Sequence, residues 1–352
     1  MKRIAGYKKI IGVVCLAIGS VVLLFLLSEK EVHRNNAFTR RFPPHPILKK
    51  RDFELGHNSY YIAGLDRGIL YLGNPTTPLY LLKINLSSKD TAQFKIDIKE
   101  SNLPFRNIKF RLYPPYFFML DGTVPCIFRG RINEWIARPW SLDSAFFDVA
   151  IPVDSQRLII RSFDGNSHST ILGIIDKDTS TSVSLKHGIL EKQIDGVFDV
   201  DGILTYSTEP NLLSYVYYYR NEYIIMDSDL TVLKRQQTLD TVHKAHLQVA
   251  PSKQGAVTEM QAPPLIVNNN SSLDGELIYT NSNRLGKYED DNMLDQASII
   301  DVYNWKNDIY GYSFYLYKER SENINEIKVS NNTLYVLVGN RLSTYEIRNS
   351  DN

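Results

Sequence analysis

Asn331–Asn349 reads NNTLYVLVGNRLSTYEIRN, two short strands with a turn between them. In the first strand Leu334, Val336 and Val338 point one way and Tyr335 and Leu337 the other. Both faces are therefore apolar, and such a strand needs neighbours on both sides. Only a few polar residues follow it, so its cover must come from elsewhere in the chain.

Working back towards Asp52, the chain shows few helical periods and many short β-rich runs separated by turn residues. GILYLGN leads to PLYLLKINLSSKDTAQFKIDI, and RLIIRSFDGNSHSTILGIIDKDTSTSVSL has the same shape. So does GILTYSTEPNLLSYVYYYRNEYIIMDSDLTVLKR. The turns at Asp176-Lys177-Asp178 and Asp227-Ser228-Asp229 take equivalent places, and Asp suits them by bonding its local backbone. Leading strands begin near Ile69, Phe117, Leu158, Ile203, Leu277 and Leu334. The first three steps match the roughly 40–50 residues of a four-stranded propeller blade. The longer step after Ile203 carries QQTLDTVHKAHLQVAPSKQGAVTEMQ, which reads as an insertion with a long fourth strand.

The count gives an all-β, six-bladed propeller over residues 51–348. The last blade has only three strands of its own: NEIKVS, NTLYVLVGN and RLSTYEIR. Its fourth is expected near RDFELG, Arg51–Gly56, so that N- and C-terminal strands close the ring and leave no free edge. The rival fold, two β-sandwiches, needs a linker near the middle, and no Pro/Gly/Ser-rich break is found there.

The N-terminus predicts a different environment. The basic segment 1–9, MKRIAGYKK, precedes Ile10–Leu27, an 18-residue run without charge. At about 1.5 Å per residue a helix of that length approaches the hydrocarbon thickness of a bilayer. SEKEVHRNN follows and offers no small-x-small cleavage site. The run is read as an uncleaved transmembrane signal anchor, with the basic end in the cytoplasm. A single-pass inner-membrane protein with its bulk in the periplasm is the expectation. Residues 28–50, with Pro43, Pro44 and Pro46, read as a stiff linker. A net charge of +1 and the lack of a basic helix argue against a nucleic-acid partner. The chain has two cysteines, Cys15 in the apolar run and Cys126, which reads as a small buried hydrophobe.

Four C-terminal stretches carry a resemblance: DSDLTVLKRQQTLDTVHKAHLQV, APPLIVNN, QASIIDVYNWKNDIYGYSFYLY and NTLYVLVGNRLSTYEI. Over Tyr223–Ile347 the chain resembles uncharacterised membrane-anchored bacterial β-propeller proteins, and more broadly six-bladed TolB-like propellers. The resemblance implies export and a propeller, with another membrane or envelope protein as partner. It implies no catalytic residues.

No HExxH, phosphate-binding glycine loop, GxSxG or CxxC is present. His243 and His246 are the nearest histidine pair, with Asp240 the one close further ligand. A metal site needs more than this, so an exposed insertion is the plainer reading and neither metal nor cofactor is expected. Glu289, Asp290, Asp291 and Asp295 lack the EF-hand spacing and read as a solvated acidic loop. Ligand contacts are expected of Arg129, Arg131, Trp135 and Trp140 in RGRINEWIARPW, and of Tyr217 and Tyr219 in SYVYYYRNEY. Arg and aromatic side chains at blade tips stack on peptides and glycans, although in strands they more often pack blade against blade. Two functions remain: a binding or scaffold module, or an extracytoplasmic enzyme of hydrolase or lyase type with its site at the central channel.

Overall fold

The structure is a computed structural model that describes residues 11–23, 34–99, 102–251, 258–319 and 322–348. Six antiparallel sheets of four strands each surround a central axis. Their inner strands are Tyr61–Asp66, Lys109–Tyr113, Val149–Pro152, Gly202–Ser207, Asn268–Asp274 and Ile324–Ser330, for blades 1 to 6 in turn. Blade 2 gains a short parallel strand, Asp97–Ile98, at its outer edge.

The core is a ring of six apolar clusters, one at each junction between blades. Leu334 and Val336 pack with Tyr279 and Ile300 of blade 5. Tyr335 and Leu337 pack with Leu70 and Leu72 of blade 1. The two apolar faces of the C-terminal strand therefore cover two different neighbours, and each buried side chain contributes about 1.5–3 kcal/mol. The outer strand of blade 6 is Ile47–Glu54, paired antiparallel with Arg341–Ile347 from Ile47 opposite Ile347 to Glu54 opposite Arg341. The ring is closed by both ends of the chain, and the donated strand begins four residues ahead of Arg51.

Five of the six expected leading strands are second strands of blades. Ile203 is the exception, because it lies in the inner strand of blade 4; the second strand there is Leu212–Tyr217. The insertion after blade 4 has a short fourth strand, Val232–Gln237, and a separate hairpin of Val249–Pro251 with Thr258–Met260. Val249 and Ala250 of that hairpin are partly exposed. Cys126 is buried in the cluster between blades 1 and 2, and burial pushes its thiol up to about 12.

Residues 34–46 lie along blade 5. Arg34 bridges to Leu285, the Ser313 amide donates to the Arg41 carbonyl, and Phe42 stacks on Tyr315. Arg40 is buried and pairs with Glu289 at 2.7 Å and Asp301 at 2.6 Å. Glu289 and Asp291 of the expected solvated loop are thus the docking partners of Arg40 and Arg34. Residues 11–23 are helical with their apolar side chains exposed. Among the described residues no helix is long and apolar enough to cross a membrane. Segment 1–9, Ile10, residues 24–27 of the expected anchor and residues 28–33 of the expected linker lie outside the described residues.

Candidate functional site: the central channel

An inner strand is a sheet edge turned to the axis, so half of its backbone groups find no partner in the blade. Side chains from neighbouring blades supply them. The Ile62 amide donates to Glu326 Oε2 at 2.7 Å, and Arg111 Nη1 donates to the Ile62 carbonyl at 2.8 Å. The Val329 amide donates to Ser272 Oγ at 2.9 Å. Gly73 leaves room for Tyr61, because a Cβ there would sit 2.3 Å from the phenol. The Tyr61 hydroxyl then accepts the Phe110 amide at 2.7 Å and ties blade 1 to blade 2. Burial pushes that phenol up to about 12.

The bore is a cavity of about 350 Å³ lined by all six inner strands. Its charged lining includes Arg111, Arg161, Asp274, Glu326 and Lys328. Arg161 is committed to Asp148 and Asp201. Arg111, Lys328 and nearby Lys109 have no carboxylate at ion-pair distance among the described residues. Burial lowers the Lys328 ammonium, with Glu326 opposing. Burial also lowers Lys109, and the neighbouring Arg111 guanidinium adds to the effect. The Glu326 carboxyl is raised by burial, against the pull of Arg111. Arg111 and Glu326 each hold one backbone bond, to Ile62, but Lys109, Arg111 and Lys328 stand half-buried without a carboxylate at ion-pair distance among the described residues.

The six residues expected to contact ligand do not converge, and none lines the bore. Arg129 and Arg131 lie over the Tyr116 ring at 4.8 and 5.5 Å, and Arg129 also donates to the Ser155 carbonyl. Trp135 packs among Tyr71, Phe94 and Phe117 between blades 1 and 2. Trp140 meets Phe118 edge-on beneath Lys177. Tyr217 is fully buried under Arg220, and Tyr219 sits beside Tyr218 just past the same strand. His243 and His246 are exposed in the insertion, while Asp240 is buried against Arg284 at 3.1 Å.

Sequence reasoning passed over the bore residues. Their signal was charge alternating with apolar residues in KFRLY and NEIKVS, Lys109 with Arg111 and Glu326 with Lys328. Charge at period two marks the polar face of an edge strand.

No known family matches the chain, and no curated protein matches it. Among solved structures it is similar to a member of the DUF4221 family from Bacteroides vulgatus, with a TM-score of 0.54 and 12% identity over 86% of this chain and 98% of that one. It is also similar to a catalytically inactive virginiamycin B lyase from Staphylococcus aureus with quinupristin, at TM-score 0.49 and 10% identity over 86% of this chain and 100% of that one. The β-propeller domain of Cps50 (Swd1) from Myceliophteria thermophila gives 0.46 and 9% over 86% of this chain and 100% of that one. At these identities the likeness is one of fold.

Proposed function

We propose that the chain is a membrane-tethered, extracytoplasmic binding module, TolB-like in type, that takes a small ligand bearing an anionic group into its central channel. The observation that carries the reading is the unpaired set Lys109, Arg111 and Lys328 around the bore. An anion seated between Arg111 and Lys328 restores the pairing that burial denies them and forms charge-assisted hydrogen bonds. The tether rests on Ile10–Leu27, whose described part is a helix with its apolar side chains exposed. A helix that is hydrophobic on all sides and packs against none of the described residues suits a lipid surrounding.

The test is thermal shift and calorimetry on the detergent-solubilised chain with succinate, citrate, free amino acids and inorganic phosphate. At least one should raise the melting temperature, and Lys328→Met should weaken it at least tenfold. If none binds, or if Lys328→Met leaves binding unchanged, the channel is not the seat.

A second reading, catalysis in the same bore, is favoured by Glu326 and Lys328. Their proton affinities are both displaced towards neutrality, as a proton-transferring pair requires. Recovery of bound ligand chemically unchanged after prolonged incubation separates binding from turnover.

A further inference from the structure

A second cavity, of about 250 Å³, opens beside the channel at the junction of blades 5 and 6. Six asparagines line it: Asn269, Asn270, Asn281, Asn283, Asn323 and Asn325. They come from three places in the fold: the start of the inner strand of blade 5, the end of its second strand, and the start of blade 6. Ser282, Ser298 and Lys318 complete the polar wall, and no carboxylate lines it among the described residues.

Some of these amides are occupied. Asn269 Nδ2 donates to Asn283 Oδ1 at 3.0 Å, Asn270 Nδ2 to the Ile324 carbonyl at 3.3 Å, and Asn325 Nδ2 to the Asn58 carbonyl at 3.2 Å. Lys318 Nζ donates to the Leu294 carbonyl and Asn323 Oδ1 at 2.6 and 2.8 Å. Asn281 differs. It is 5% exposed, it lines the cavity, and its side-chain amide has no hydrogen-bond partner among the described residues. Its amide is not among the fully buried polar atoms that lack a partner, so it opens into the cavity, free to bond what enters.

The lining selects a ligand by elimination. An apolar ligand would strand the amides without partners. A cation would face Lys318, and an anion would find the N–H groups of Asn269, Asn270 and Asn325 and the Lys318 ammonium already donating elsewhere. A hydroxyl group both donates and accepts, as an amide does, and several hydroxyls on one rigid ring match several amides with little ordering cost. The volume falls just under the roughly 300–1,000 Å³ of drug-sized pockets, which suits one ring and not a chain. We propose that this cavity binds a single neutral sugar ring, free or at the end of a glycan, and that Asn281 is its central contact. The site is independent of the channel seat, with Asn270 the one asparagine that lines both.

The experiment is saturation-transfer NMR of the full chain in detergent with neutral hexoses and N-acetylhexosamines, alongside an array of immobilised glycans. At least one sugar should bind. Binding to free sugar or to the array alone distinguishes a small-molecule site from a glycan-end site. Asn281→Leu should weaken binding at least tenfold while the melting temperature holds, because it breaks no side-chain hydrogen bond among the described residues. Lys328→Met should leave sugar binding unchanged, so a failed channel reading does not carry over. The proposal is overturned if no sugar binds in either format, if binding survives Asn281→Leu, or if that variant melts far below the parent.

Discussion

Arg40 shows what a single side chain can hide. Its side chain has 1% of its surface exposed, and the guanidinium lies between Glu289 and Asp301, with further bonds to Ser282 Oγ and the Arg284 carbonyl. Removing one partner of a buried pair leaves the others charged and unpaired, at about 3–5 kcal/mol. Arg40→Ala should therefore lower unfolding free energy by that amount in urea titrations, and a loss below 1 kcal/mol would mean that the segment is not docked. Nothing in TRRFPPHP announces this, because its partners lie some 250 residues away and a local pattern carries no record of them. Glu326 supports a second prediction at this scale. Its folded carboxyl is raised, so the folded chain holds more protons than the unfolded one between the ordinary value of 4.5 and the raised value. The charged form is penalised above that window and the penalty fades as pH falls through it. Glu326→Gln keeps an acceptor for the Ile62 amide and should melt higher than the parent at pH 7. The gain should vanish near pH 4.5, and a gain that persisted there would assign the effect to packing.

At the scale of elements, the second strands were legible because burial on both faces writes a continuous apolar run. The sequence reading went out of phase at Ile203, where the inner strand GILTYS is itself apolar enough to pass for a second strand. The true second strand, LLSYVY, is buried at every position. Charge on the inner strands alternates with apolar residues over only five to seven positions, too short a run to mark the bore. The strand exchange that closes the ring yields a truncation series. Ending the chain before Asn331 removes two strands of blade 6 and uncovers the clusters shared with blades 5 and 1. That chain should aggregate, and a soluble, cooperatively melting product would rule out closure by the two ends. Starting at Leu55 removes the outer strand of blade 6 and the docked segment together, and should lower the melting temperature strongly. From the sequence alone, removal of residues 1–40 is expected to be silent; the pairing of Arg34 and Arg40 with blade 5 moves that boundary, so a start at Arg34 should melt like the full chain and a start at Arg41 should not.

For the whole molecule, the fold was the most legible part and the ligand the least. A ring of blades is a repeat, and repeats announce themselves by spacing; a binding cavity is assembled from single residues of several blades, such as Ile62, Arg111 and Lys328, with no spacing in common. The proposed anchor makes a prediction at this scale. The intact protein should stay with membranes through a carbonate wash and keep its N-terminal residues by mass spectrometry. A soluble form beginning after Leu27 would sink the anchor.

The docking of residues 34–46 changes the mechanics of such an anchor. Six residues, 28–33, separate the end of the apolar run from Arg34, a reach of about 20 Å at full stretch. Arg34 is fixed to the loop between the second and third strands of blade 5, whose ends also wall the asparagine cavity. If Ile10–Leu27 sits in a bilayer, as proposed, those six residues set the greatest distance between the disc and the lipid. Arg34, and the blade 5 loop that holds it, would then stay within about that reach of the lipid.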